Sequence, residues 1–346
     1  MSKPLSLSQR TVFICVFVLI ISACATESSS PKAIISTSYP LIKSVSEWND
    51  SIFLYASFGL SAFKDQVIIT DPQAARLIHL TTELDLIHTT RKQGKGPAEF
   101  MAPAQTIVYR DTIFTFDATK QTVSFHTLTG EYLGEVKTPP AYVMLPRFAI
   151  DDEFNIYMST PRETHSIVKF NLKGEVLNRF GPSEQNYRSI RHLFFTENGL
   201  LLSVGGADPL IELFTKEEEL TQSYEYGQLK DIQNAIDHRT KIYVHNKDKF
   251  NWDIMYYALI RDASYQDKKL YLLYRHHPEF AEFEDFMIGN QLLVFDIGDK
   301  ISLHKKVQLE PPSSERYYFS ICVDPQNNYL YAFESTTKEI CKFRIN

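Results

Sequence analysis

Acid–base or metal chemistry needs side chains that converge, and the ten histidines of this chain are scattered except for His276-His277. Those two are followed by Glu279, Glu282, Glu284 and Asp285. Imidazole nitrogens and carboxylate oxygens are the donors that zinc and calcium take, but this spacing matches no fixed ligand geometry. A solvated acidic flap explains the segment with fewer assumptions, and no metal is expected. Arg147 and His192 form a second candidate. Each stands one residue ahead of an apolar run, Phe148-Ala149-Ile150 and Leu193-Phe194-Phe195. If both runs are strands, alternation sends the two side chains the same way. Together they would rim a site for a carboxylate, a sulfate or a uronic acid; the plainer reading pairs each with a nearby acid. Ser320 holds the corresponding place near the C-terminus, which leaves such a rim incomplete. A third candidate is Gly94-Lys95-Gly96, where backbone N–H groups beside glycine, with cations close by, can cradle an anion. It is not a phosphate-binding P-loop, because no Gly-Lys-Ser/Thr follows. The alternative is a rigid turn whose N–H groups are tied down by Glu99. No Ser-His-Asp order, zinc-type cysteine pair, paired-carboxylate signature or cofactor motif stands out, and no cofactor is expected.

These residues are carried by a repeating unit. A short apolar strand leads to a turn of Asp, Asn or Gly, then to a tight second strand, then to a run ending in an aromatic. The clearest copy is Phe148-Ala149-Ile150-Asp151-Asp152-Glu153-Phe154-Asn155-Ile156-Tyr157-Met158, and Ile321-Cys322-Val323-Asp324 through Phe333 repeats it. Second strands beginning at Val67, Ile113, Ile156, Leu201, Leu270 and Leu330 are spaced by 46, 43, 45, 69 and 60 residues. Periods of about 40 to 50 residues built of short strands are the mark of propeller blades. One four-stranded sheet has two apolar faces and cannot hide both alone, whereas sheets packed around an axis cover each other. Aromatics at 13%, with 24 Phe and 19 Tyr, favour strands, and long amphipathic helical periodicity is nearly absent. The expectation is an all-β, six-bladed β-propeller over residues 34–346, with seven blades as the alternative. Lys241-Ile242-Tyr243-Val244 reads as a further strand inside an insertion. Residues 34–45 would supply the missing fourth strand of the last blade and close the ring.

The N-terminus carries an address. Lys3 and Arg10 precede 13 uncharged residues, Thr11 to Ala23, which are too few to span a bilayer but fit a signal-peptide core. The run ends Ile21-Ser22-Ala23-Cys24, which resembles the bacterial lipobox. Residues 1–23 are then a signal peptide cut between Ala23 and Cys24, with lipid attached to Cys24. Residues 24–33 become a small, polar tether. Several acyl chains inserting together, at about 0.8 kcal/mol per buried methylene, make such an anchor effectively permanent. The absence of Asp after Cys24 resembles lipoproteins sent on to an outer membrane. Of the four cysteines only Cys322 and Cys341 remain in the fold. On strands two apart they are separated by roughly 9.6 Å, too far for a disulfide, so two buried thiols are expected. The formal charge of −6 becomes −8 without Lys3 and Arg10, which argues against nucleic acid as a partner.

The segment Arg91-Lys92-Gln93-Gly94-Lys95-Gly96-Pro97-Ala98-Glu99-Phe100 resembles the Gly-x-Gly-Pro-Gly-Glu-Phe stretch after the first blade of six-bladed propeller lipoproteins common in Bacteroidetes, which are similar to NHL-repeat and TolB-like propellers. Ala98 stands where that pattern has its second Gly. The resemblance implies a fold and an envelope location, and no activity. The function expected is a membrane-anchored binding or scaffold module for a glycan, a peptide or an envelope protein. The alternative is a propeller lyase or hydrolase working on a glycan or another anionic small molecule in the central channel.

Overall fold

The repeat works through its turns. Asp151 Oδ1 accepts the N–H groups of Glu153 and Asn155 at 3.0 and 2.8 Å. Asp117 does the same for Thr119 and Lys120, and Asp324 for Gln326 and Asn327. At other hairpins the hydroxyls of Thr127 and Thr215 accept from Glu131 and Glu219. A short side-chain oxygen that bonds backbone a few residues on closes a tight turn, so each strand returns antiparallel beside the last. The computed structural model describes residues 36–49, 51–139, 147–161, 163–184, 189–246, 258–276, 288–310, 317–324 and 326–346.

Six four-stranded antiparallel units follow one another along the chain. Blade 1 comprises Leu60–Phe63, Gln66–Asp71, Arg76–Thr81 and Leu86–Arg91. Blade 2 comprises Pro103–Tyr109, Thr112–Asp117, Thr122–Thr127 and Tyr132–Lys137. Blade 3 comprises Ala149–Ile150, Ile156–Ser159, Ile167–Phe170 and Val176–Phe180, and blade 4 comprises Arg191–Phe195, Leu201–Gly205, Leu210–Phe214 and Leu220–Glu225. Blade 5 is longer: Ile260–Gln266, Lys269–His276, Ile288–Ile297 and Ile301–Leu309. Blade 6 has Tyr318–Asp324, Tyr329–Glu334 and Glu339–Arg344, with Leu41–Val45 antiparallel to the last of these as its fourth strand. The ring is therefore closed by the N-terminal segment, as expected. The preceding strand, Ser36–Tyr39, goes elsewhere: it runs parallel to Ile301–Leu309 and adds a fifth strand to blade 5.

Packing shows why the sheets need one another. The buried core is divided into six clusters, each shared by two successive blades. Phe114, Phe116 and Val123 of blade 2 meet Ile156, Met158 and Phe170 of blade 3, and Leu202 and Ile211 of blade 4 meet Leu270 and Leu272 of blade 5. The last cluster joins Tyr331, Phe333 and Ile340 of blade 6 to Val67, Ile69 and Leu80 of blade 1. The chain is a six-bladed β-propeller. Cys322 and Cys341, on the first and third strands of blade 6, are buried and not joined in a disulfide.

One element departs from expectation. Lys241–Val244 is not a strand but the last part of a helix, Lys230–Asn246, ahead of blade 5. Ile232, Ala235 and Arg239 lie on one buried stripe at helical spacing, and Ile232 and Ala235 pack with Tyr226 and Leu259 in the core between blades 4 and 5. Arg239 Nη1 donates to the carbonyl of Ala207 at 2.9 Å. The helical stripe upstream outweighs the β preference of Ile242-Tyr243-Val244.

Candidate functional site at the channel end

Near the start of the first strands, side chains from several blades meet on the propeller axis. Arg147, just ahead of the first strand of blade 3, crosses this space. Its Nε and Nη2 donate to Asp262 Oδ1 and Oδ2 of blade 5 at 2.9 and 2.7 Å. Its Nη1 donates to the carbonyl of Leu60 in blade 1 at 2.6 Å, and Nη2 also reaches the carbonyl of Ile321 in blade 6. The Arg147 N–H approaches His192 Nδ1 of blade 4 at 3.4 Å. The guanidinium thus ties blade 3 to blades 5, 6 and 1, and the backbone N–H of the same residue reaches blade 4. Arg147 and Asp262 are both almost fully buried. Burial alone would pull the Arg147 guanidinium down, and the Asp262 charge and hydrogen bonds hold it above its ordinary value.

Arg147 and His192 do converge, but they do not make a cationic rim. Arg147 is matched by a carboxylate. Burial, then the Arg147 and Arg261 charges working against Asp262, leave the His192 imidazole lowered to about 4, so it is neutral at pH 7. Ser320, the third equivalent residue, is fully buried, and among the described residues its hydroxyl has no hydrogen-bond partner.

Two residues that pattern reading did not single out complete the group. Asp262 accepts four hydrogen bonds: two from Arg147, one from the N–H of Ile321 at 2.8 Å and one from the N–H of Ala263 at 2.9 Å. Arg261, beside it in the chain, is 5% exposed, and among the described residues its Nε and Nη2 meet no acceptor. Its Cζ lies 2.9 Å from the centre of the Phe319 ring. Phe58 lies tilted against Phe319 at 5.1 Å and Tyr317 meets it edge-on at 6.3 Å. The signal was present: Arg261-Asp262 opens a first strand at nearly the distance ahead of Leu270 that Arg191-His192 keeps ahead of Leu201.

The glycine turn lies elsewhere, between blades 1 and 2. Gly96 N–H donates to Glu99 Oε2 at 2.8 Å, and a Cβ on Gly94 would collide with the same carboxylate. Lys120 Nζ closes the turn from below through the carbonyls of Gly96 and Glu99, both at 3.0 Å. Glu99 therefore sits where an external anion would, and Lys95 points to solvent. Ala98 takes a left-handed φ of 60°, the conformation for which glycine is suited. Ala23, Cys24 and residues 277–285 of the His276 segment lie outside the described residues. Among the described residues no group of three or more His, Cys, Asp or Glu is placed to hold a metal ion, and no helix is long and apolar enough to cross a membrane.

No protein-family model and no curated protein matches the chain. Its likeness is to solved structures. A protein of Bacteroides fragilis described as exported is 13% identical over 91% of this chain and 100% of its own, with a TM-score of 0.57. A member of the DUF4221 family from Bacteroides vulgatus is 11% identical, covers 88% and 97%, and has a TM-score of 0.60. A virginiamycin B lyase from Staphylococcus aureus is 10% identical, covers 88% and 99%, and has a TM-score of 0.51. At these identities the likeness is one of fold, and what the chain shares with all three is the propeller.

Proposed function

We propose that this chain is an exported lipoprotein of the NHL- and TolB-like propeller kind, held to the outer membrane by lipid on Cys24, and that its propeller binds a ligand or envelope partner without transforming it. The observation that carries the binding reading is how the ionisable groups on the axis are used. Arg147 and Asp262 satisfy each other and neighbouring backbone, and His192 is neutral and buried. A lyase or hydrolase needs a base or acid free to reach a substrate proton, and this trio is engaged in joining blades. Arg261, in contrast, is a buried cation at the same end with donors to offer. The Ile21-Ser22-Ala23-Cys24 sequence supports the anchor, and the exported protein of Bacteroides fragilis supports the address.

In a Gram-negative host, radiolabelled palmitate is expected on the wild-type band and absent from Cys24→Ala, which should leave the membrane fraction. Equal labelling of the two removes the anchor from this reading. The purified protein, incubated with acidic polysaccharides, is expected to return them uncut. A shortened or unsaturated product would place it among the enzymes instead.

A further inference from the structure

We propose that the channel end around Arg261 is a binding site for a small carboxylate carried on a ring with an apolar face, such as an aromatic acid or a uronic acid. This deepens the reading of the propeller as a binding module and rests on it. Among the described residues no carboxylate or carbonyl accepts from Nε or Nη2 of Arg261. The carboxylate next to it, Asp262, already accepts two hydrogen bonds on each oxygen, from Arg147, Ile321 and Ala263. The other charged groups acting on Arg261 include Arg275, a second cation. Burial, made worse by Arg275 and relieved in part by Tyr317 and more weakly by the already engaged Asp262, lowers the guanidinium to about 9, which leaves it protonated at pH 7. A buried charge without a counter-charge is strongly unfavourable, so an incoming anion recovers an interaction that the protein itself does not supply.

Geometry narrows the class. Phe319 occupies one face of the guanidinium, which satisfies the cation–π interaction. The N–H groups lie in the guanidinium plane, and among the described residues Nε and Nη2 have no acceptor there; both are closed to solvent, so an acid engages them only as the half-buried rings of Phe58 and Tyr317 give way. A planar fork of donors matches the planar fork of a carboxylate. Around it Phe58, Phe319 and Tyr317 are half-buried, so they offer an accessible apolar shelf. The face of an aromatic ring, or the C–H face of a sugar, can lie on such a shelf while its carboxylate reaches Arg261. Arg147 cannot serve in its place, because its Nε, Nη1 and Nη2 are all donating within the protein.

The test is calorimetric titration of the full-length protein in detergent with benzoate, glucuronate, acetate, benzamide and glucose. Benzoate or glucuronate is expected to bind at least about 10-fold more tightly than its uncharged counterpart, benzamide or glucose, and more tightly than acetate. Which of the two is preferred identifies the ring. Arg261→Gln should weaken the preferred acid by at least about 10-fold, and Arg261→Lys, which keeps the charge but not the fork, should recover only part of it. Phe319→Leu should weaken the acid and leave acetate nearly unchanged. Because Arg261→Gln gives up the cation–π contact with Phe319 but also removes a buried charge that no acceptor matches, it should melt no lower than wild type, which separates a binding role from a structural one. Equal acid binding by Arg261→Gln and wild type, or a lowered melting temperature without change in binding, overturns the site. Tight binding of benzamide or glucose that survives Arg261→Gln overturns the carboxylate while leaving the propeller a binding module. Saturation by none of the five overturns the site as well.

Discussion

Arg147 and Arg261 are the same residue type, equally buried and both near the channel end, yet they have opposite electrostatic surroundings. Arg147 has a bidentate carboxylate and two carbonyls, whereas Arg261 has the face of a phenylalanine. Removing one partner of a buried pair leaves the other charge uncompensated, at a penalty of about 3–5 kcal/mol. Arg147→Ala and Asp262→Ala are each expected to lose that much in urea unfolding. The double variant Arg147→Met/Asp262→Leu should lose much less than the two single losses combined, since no charge is stranded. Strictly additive losses would show that the two do not act as a pair. The sequence located Arg147 and His192 and predicted that they share a side, because alternation along a strand is a local rule. It could not reveal that Asp262, 115 positions further on, neutralises Arg147. That contact depends on ring closure, which no local pattern encodes. Arg261 was hidden for the same reason, since a charged residue opening a strand looks ordinary until its neighbours are known to lack acceptors.

At the scale of elements, the decisive pieces are the two N-terminal strands. Leu41–Val45 caps the outer edge of blade 6 and Ser36–Tyr39 caps that of blade 5, so a single segment covers two edges. Both edges would otherwise present unpaired N–H and C=O groups to other chains. Tyr39 is fully buried between these blades, and its burial alone contributes about 2 kcal/mol. Deleting residues 36–45 is therefore expected to lower stability by at least about 3 kcal/mol, counting the lost ladders, and to produce oligomers in size-exclusion chromatography. A monomer with unchanged melting temperature would mean that the ring holds without its clasp. The blade count and the closing strand were legible because Asp and Asn turns recur at a regular spacing. The helix Lys230–Asn246 was not, because its apolar stripe is short and ends in three residues with strong strand preference. Only the packing of Ile232 and Ala235 against Tyr226 and Leu259 decides between the two.

For the whole molecule, closing six sheets around an axis leaves histidines enclosed where protons cannot be accommodated. His79 is lowered to about 3, by burial first and then by His88 and His126. His126 is lowered to about 4 by burial and by the Lys120 charge, and His192 likewise to about 4. His79 and His88 stack at 4.0 Å, and among the described residues neither ring nitrogen of His126 has a hydrogen-bond partner. The sign follows from linkage. Well above pH 6.5 these imidazoles are neutral in both folded and unfolded chains and contribute no pH dependence. As pH falls below 6.5 the unfolded chain takes up protons that the folded one refuses, so stability is lost down to about pH 4, where the folded groups begin to titrate. Each histidine adds a slope of up to roughly 1.4 kcal/mol per pH unit, and the three together approach about 4. Asp71 and Glu212, raised chiefly by burial, oppose this at the acid end of the window, because they protonate more readily in the fold. Between pH 6.5 and 5 the histidines should dominate. Urea midpoints measured across that range are expected to fall steeply for wild type, and less steeply, by about one proton, for His126→Phe, whose ring loses no hydrogen bond. A midpoint that stays level from pH 7 to 5 would mean that these rings accept protons inside the wheel, and that the gaps between blades 1 and 2 and on the axis are open to water.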